Sequence, residues 1–360
     1  MSRNFSTLFN AVRSFSTSSV ARDVRVAQAK LPQALHHIMK ESVIAEETPT
    51  LMPMEQEVLE KRCREFWKFL HDEAKHDGDA KSLVEAITNF RKGDIDPAAP
   101  QIMRIENLMP KLSRNDTKRD IMAYDISCDG PPRSNMKKIL VEQSPNLDFL
   151  QIIFRLCGLK TPSHGGLPGN FSPFLVIDDI QSQKPHCDGS AEVDGEVPQA
   201  LTIKANSLMA LKSDKLSPVS TRFIDAADIA QKLSAKSLEI LQRPNFVGLS
   251  RSATKTHPIL KLNEHGVWTI LYPQGQVMSR NQAPENDEAM EEFREVLQEM
   301  QRRKSYSLVL SASSEGKPDE VVIFNNTRLV HWRDCANVRD IGIRQVVSLI
   351  GQGKFGVPQI

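Results

Sequence analysis

The chain lacks three features that would each assign it to a class of protein. No apolar run reaches the roughly 18 residues that a membrane-spanning helix needs, so we expect no membrane association. The five cysteines are scattered and form no C-x-x-C pair, a distribution typical of reduced thiols in a cytosol-like compartment. The net charge is only +1, which gives no electrostatic reason to expect a nucleic-acid partner.

The first 22 residues differ in composition from the rest. They contain Arg3, Arg13 and Arg22, many Ser and Thr residues, and no acidic residue. This composition is typical of a mitochondrial transit peptide, and a disordered polar terminus would have it too. We therefore expect a cytoplasmic protein, with the mitochondrion as the alternative in a eukaryotic host. We treat residues 1–45 as an N-terminal segment that is partly disordered or targeting-like.

Residues 46–114 are predicted to form a helical region. Between 54 and 75, Leu59, Cys63, Phe66 and Leu70 recur at steps of three and four, which is the spacing of one helix face. A second helix is predicted near 81–92. Such an apolar stripe indicates a layer of helices that covers one side of a sheet.

Beyond about residue 115 the sequence changes to short apolar runs bounded by Gly, Pro, Asn, Asp and Ser. These runs have the length and β-branched content of strands, and they fall at 173–178, 200–204, 267–272, 306–311, 320–324 and 345–350. Helices are predicted at 225–243 and at 286–303. Because the strands and helices do not alternate regularly, residues 115–360 are predicted to be mainly β with flanking helices, folded as a double-stranded β-helix (jelly roll).

His186, Cys187 and Asp188 form an H-x-D triplet, and His331 ends a strand-like run much later in the chain. On an extended segment the two ligands of H-x-D point to the same side and Cys187 points away. Two imidazoles and one carboxylate can occupy one face of an octahedral ferrous ion and leave the other face open. Alone, the triplet is a weak signal, because H-C-D-G-S is also typical of a surface turn.

The residues around His331 strengthen the metal hypothesis. Residues 324–333 read F-N-N-T-R-L-V-H-W-R, which resembles the F-D-N-x-R-x-x-H-G-R signature of the taurine dioxygenase and clavaminate synthase-like superfamily. Residues 220–225, S-T-R-F-I-D, resemble that superfamily's G-x-T-x-[FV]-x-D segment. The resemblance covers roughly residues 170–350 and fades before about 115.

The resemblance implies an Fe(II)- and 2-oxoglutarate-dependent dioxygenase. It implies that His186, Asp188 and His331 bind the iron and form the catalytic centre. It also implies that Arg344 binds the 2-oxoglutarate carboxylate, which suits a planar guanidinium, and that Thr221 hydrogen-bonds the same molecule. The expected substrate is a small polar molecule, an amino acid or an amine-bearing carboxylate, oxidised with release of succinate and CO2.

Three positions depart from the family pattern. Asn325 replaces the usual Asp, and Ser348 stands where several relatives have a second arginine. Trp332 replaces the usual Gly beside the ligand histidine, where it could narrow the substrate pocket or simply pack in the core. Arg328 and Arg333 are predicted to support the structure or the ligands, and Arg339 is the alternative to Arg344 as the carboxylate-binding residue.

Two other functions are compatible with these patterns. One is a catalytically inactive jelly-roll protein that binds a ligand or serves as a scaffold. The other is a metal-dependent enzyme that does not use 2-oxoglutarate. The oligomeric state cannot be read from the sequence.

Overall fold

The structure of the chain is a computed structural model. It describes residues 24–36, 56–108, 144–160, 174–177, 184–188, 193–194, 197–198, 203–212, 220–248, 256–273, 277–279, 283–303, 305–309, 320–333 and 345–356. The N-terminal 22 residues, Arg339 and Arg344 lie outside these ranges.

The largest sheet has seven strands and contains segments from both ends of the chain. Its strands are β1 (Val26–Lys30), β2 (Ile102–Glu106), β3 (Leu159–Lys160), β4 (Phe174–Ile177), β7 (Ile203–Lys212), β14 (Glu320–Asn325) and β16 (Gln345–Gly353). The order is β1-β2-β14-β7-β16-β3, and β4 also pairs with β16. Only β1 and β2 pair in parallel; the other pairs are antiparallel.

A second sheet has three antiparallel strands in the order β13-β8-β15. These are β8 (Ser220–Asp225), β13 (Tyr306–Val309) and β15 (Leu329–Arg333). The remaining strands form short two-stranded pairs, and they are β5 (Val193–Asp194) with β6 (Val197–Pro198), β9 (Phe246–Gly248) with β12 (Val277–Ser279), and β10 (Leu260–Leu262) with β11 (Trp268–Ile270).

Six helices with seven or more described residues flank the two sheets. They are α1 (Gln56–Glu73), α2 (Gly78–Phe90), α3 (Ser144–Leu156), α4 (Ala226–Lys232), α5 (Ala235–Leu241) and α6 (Pro284–Arg303). Within the described ranges, none of these helices is both long and apolar enough to span a bilayer. The sheets form the core and the helices lie on the outside, so the architecture of the protein is mostly β with helices.

Strand alternation produces a layered core. Along β14, Val321 and Ile323 face the cluster formed with α1, α2 and α3, whereas Val322 and Phe324 face the other sheet. The cluster between the two sheets also contains Phe223 of the smaller sheet. A third cluster joins the outer face of the smaller sheet to α4, α5 and α6. Each sheet therefore has one face toward helices and one face toward the other sheet.

Most predicted elements are confirmed, and the differences that most affect the fold are the following. The single helix predicted at 225–243 is two helices, because Leu233 is extended and the Ser234 side chain caps α5 by accepting from Ser237 N at 3.2 Å. Helix α3 was not predicted. Strands β1 and β2 were not predicted either, and both extend the large sheet.

Arg328 joins the N-terminal layer to the smaller sheet. Its guanidinium donates to the carbonyl oxygens of Gly93, Asp96 and Pro97 at 3.3–3.4 Å. It also forms an ion pair with Asp225 at 3.7 Å, and both side chains are almost completely buried. Asp225 in turn caps α4 by accepting from Ala227 N at 2.9 Å. Arg328 therefore supports the structure, which is one of the two roles predicted for it.

We expect Arg328→Met to lower the free energy of unfolding by roughly 3–5 kcal/mol, because it leaves the buried Asp225 carboxylate without its cation. Urea denaturation measures this change. Lys236→Met is the control, since Lys236 pairs with Glu288 at 3.0 Å on an exposed surface and its loss should leave the unfolding midpoint unchanged. Equal midpoints for both variants would contradict the structural role of Arg328.

Candidate metal centre

His186 and His331 are joined by their backbones. The residues form an isolated antiparallel bridge, in which His186 N donates to His331 O and His331 N donates to His186 O, both at 2.9 Å. The next residue, Cys187, donates its backbone N–H to Tyr272 O at 2.9 Å. The H-x-D segment therefore lies along the edge of β15, and the side chains of His186 and His331 come to the same face.

The three predicted ligands converge at this point. Each of His186, Asp188 and His331 offers one ligand atom, and these atoms all lie within 4.8 Å of one another. His186 Nε2 is 3.6 Å from Asp188 Oδ1, and His331 Nε2 is 3.4 Å from Asp188 Oδ2. The imidazole rings stand 4.4 Å apart, centroid to centroid. Among the described residues, this is the one group of three or more His, Cys, Asp or Glu side chains close enough to hold an ion.

The nitrogens of the two rings are available for a metal. His186 Nδ1 lies 2.7 Å from Lys184 O, so Nδ1 carries a proton, and Nε2 is the ring nitrogen that faces Asp188. The buried Nδ1 of His331 has no hydrogen-bond partner in the described part of the chain. Burial lowers the pKa of His331 and favours the neutral imidazole, which is the form that binds metal.

The Asp188 carboxylate is charged although it is half-buried. Burial by itself raises the pKa of Asp188, but His331 and His186 together outweigh it and hold this pKa well below the usual range. For His186, burial lowers the pKa, and the hydrogen bond and charge of Asp188 more than compensate, so the net shift is upward. A divalent cation bound between these side chains would compensate the same negative charge.

Two asparagines hold Asp188. The Asn326 side chain accepts from Asp188 N at 2.8 Å and donates to Asp188 O at 3.0 Å, which fixes the backbone from both sides. Asn206, on β7 of the large sheet, donates its amide to Asp188 Oδ2. Neither residue was predicted to have a role. Asn326 was visible in the signature, and Asn206 is a polar residue within a strand-like run.

The walls of the centre come from both sheets. Opposite His331 in the strand register lies Phe223, and the Phe324 ring lies 4.8 Å from the His331 ring. Thr221 and Arg333 are register partners on β8 and β15, and both are buried. By strand alternation they share the face of His331. Arg333 is close enough to His186 to oppose its protonation.

Trp332 and Cys187 lie on the other side. Trp332 is 3% exposed and packs in the cluster of the outer helices, so the possibility that it narrows the pocket beside His331 is wrong. The Cys187 thiol is in the same cluster, and burial raises its pKa to about 12. Strand alternation explains the direction of both side chains, because each residue is next to a candidate ligand in sequence and therefore points to the opposite face.

A comparison with solved structures finds proteins of the same fold. An asparagine oxygenase in complex with Fe(II), 2S,3S-3-hydroxyasparagine and succinate superposes with a TM-score of 0.57 at 15% identity, over 90% of this chain and 93% of that one. The non-heme iron oxygenase OrfP in complex with Fe and L-Arg gives 0.57 at 13% identity, over 91% and 93%. This chain has the fold of non-heme iron oxygenases.

No protein-family model matches the chain, and no curated protein matches it. OrfP in complex with Fe and alpha-ketoglutaric acid also superposes, with a TM-score of 0.55 at 13% identity over 90% of this chain and 93% of that one. The prediction of this fold from the sequence depends on the short signature around His331.

We expect Trp332→Ala to lower the free energy of unfolding by roughly 3–5 kcal/mol, because it leaves a cavity beneath the outer helices. Ferrous affinity, measured by anaerobic titration on the folded protein, should change less than about threefold, since Trp332 faces away from the ligands. If the variant is as stable as the wild type but binds ligands differently, Trp332 lines the pocket and this account of its packing is wrong.

Proposed function

We propose that the protein is an Fe(II)- and 2-oxoglutarate-dependent dioxygenase that oxidises a small polar molecule. The observation that carries this proposal is the convergence of His186, Asp188 and His331 at a partly buried site. Two imidazoles and one carboxylate are the donor set of non-heme Fe(II) oxygenases. Iron would supply the activation of dioxygen, and the protein would supply binding, orientation and exclusion of water.

We also propose that the core is a jelly roll within residues 115–360. One sheet would be β4-β16-β7-β14, and the other would be the His186 bridge followed by β15, β8 and β13. The metal centre would then lie between the sheets. Residues 46–114 would form the helical cover, and β1 and β2 would extend the large sheet. Of the N-terminal segment 1–45, β1 belongs to the large sheet, so only the residues before β1 would remain separate.

For 2-oxoglutarate we propose Arg344 and Thr221 as binding residues. Thr221 is buried on the face of β8 that carries the centre, which supports this role. Arg344 immediately precedes β16, a strand of the large sheet. In the proposed reaction, one atom of dioxygen enters succinate as 2-oxoglutarate loses CO2. The other atom is inserted into a C–H bond of the substrate.

The substrate class follows from charge and from the structural neighbours. Those neighbours are an asparagine oxygenase and an oxygenase crystallised with L-Arg. The chain has a net charge of only +1. We therefore propose a free amino acid or an amine-bearing carboxylate as the substrate, and no nucleic-acid partner. The proposed compartment is the cytoplasm, or the mitochondrion if residues 1–22 are a transit peptide.

The activity is tested by measuring succinate formation from 2-oxoglutarate with Fe(II), ascorbate, dioxygen and a panel of free amino acids. We expect substrate-dependent succinate from the wild type. His186→Ala, Asp188→Ala and His331→Ala should each abolish it while the circular dichroism spectrum is retained. Ferrous binding without succinate formation for any amine or amino acid would favour the inactive binding protein.

Arg344 is tested against Arg339 as a matched pair. We expect Arg344→Ala to raise the 2-oxoglutarate KM by at least about tenfold, the loss of one charge-assisted contact of 1.5–3 kcal/mol. Arg339→Ala should leave this KM unchanged. The reverse result would transfer the role to Arg339. Turnover that is independent of 2-oxoglutarate would instead indicate another kind of metal enzyme.

A further inference from the structure

Asn206 faces the metal centre from the large sheet. Its strand neighbours Ala205 and Met209 belong to the cluster beneath the N-terminal helices. Asn206 lies on the opposite face of β7 from Ala205, is 5% exposed, and donates to Asp188 Oδ2. A buried amide among apolar neighbours is costly unless it is hydrogen-bonded, so its acceptor defines its orientation.

The two oxygens of Asp188 have different surroundings. Oδ2 accepts the Asn206 amide and lies 3.4 Å from His331 Nε2, whereas Oδ1 lies 3.6 Å from His186 Nε2. The Asp188 backbone is already fixed by Asn326, so the remaining freedom is rotation of the carboxylate. The hydrogen bond from Asn206 restricts that rotation and uses a lone pair of Oδ2, which leaves Oδ1 as the better donor for an ion.

This restraint matters for coordination. A carboxylate can bind a cation through one oxygen or through both. Three protein ligands leave three positions of an octahedron open, and 2-oxoglutarate would use two of them and dioxygen the third. A second oxygen from Asp188 would occupy one of these positions and compete with the co-substrate.

We propose that Asn206 is a positioning residue that makes Asp188 a one-oxygen ligand and so keeps a coordination position open for 2-oxoglutarate. The proposal rests on the proposed function, since it assumes that the centre binds iron and 2-oxoglutarate. Asn206 acts through Asp188 and needs no contact with the substrate. Its effect should appear in two binding constants that are measured without turnover.

The test is an anaerobic titration of the full chain. Fe(II) affinity is measured first, and 2-oxoglutarate affinity is then measured on the iron-saturated protein. Asn206→Leu keeps the side-chain size and removes the donor, and Asn206→Ser shortens the side chain so that it cannot reach Asp188. We expect both variants to bind Fe(II) about 10–100-fold more weakly. We also expect weaker 2-oxoglutarate binding at iron saturation.

Ser207→Ala is the matched control. Ser207 is buried on the other face of the same strand, where its hydroxyl donates to Leu349 O at 3.0 Å and accepts from Leu349 N at 3.1 Å. Its loss should lower the unfolding midpoint and leave both affinities unchanged. This result would separate a local effect on Asp188 from general destabilisation of β7.

Two outcomes overturn the proposal. The first is that the Asn206 variants fold and bind Fe(II) and 2-oxoglutarate as tightly as the wild type does. The second is a Ser207→Ala control that loses both affinities equally. Because Asn206→Ser replaces one small polar residue by another, it provides a folded variant if Asn206→Leu does not fold. A wild type that binds no Fe(II) would instead reject the proposed function itself.

Discussion

The antiparallel bridge between His186 and His331 determines the geometry of the candidate metal centre. Two backbone hydrogen bonds of 2.9 Å bring the H-x-D segment against the edge of β15. Once that register is set, strand alternation directs both imidazoles to one face, and Asp188 follows two residues later. Asn326 then holds the Asp188 backbone from the turn between β14 and β15. The ligand set is thus a consequence of β pairing and does not depend on a flexible loop finding its conformation.

Burial gives the centre its electrostatic character. The Asp188 carboxylate stays charged because two imidazoles and an amide surround it. The apolar rings of Phe223 and Phe324 exclude water from the same space, which strengthens these interactions. His331 is held neutral by burial and is therefore ready to act as a ligand. One carboxylate and two imidazoles, which bind a metal in their neutral form, make a site that a divalent cation would complete.

The sequence predicted what depends on local pattern. Three patterns each predict a structure from a few neighbouring residues. They are the H-x-D triplet, the signature around His331 and the apolar stripe of α1. Other features depend on contacts between distant segments. Strands β1 and β2 are recognisable only through their pairing with each other and with β14. Asn206 acquires its role from its position opposite Asp188, and Trp332 packs outward because helices cover that face of the sheet. The break between α4 and α5 depends on two extended residues, Leu233 and Ser234, inside an otherwise helical pattern.

The most direct test of the account is anomalous diffraction at the iron edge, from crystals grown without oxygen in the presence of Fe(II) and 2-oxoglutarate. The account predicts one iron peak at about 2.0–2.2 Å from the ligand atoms of His186, Asp188 and His331. It also predicts that 2-oxoglutarate occupies two of the remaining positions. A crystal without iron at these three residues, or with iron bound elsewhere, would contradict the central claim.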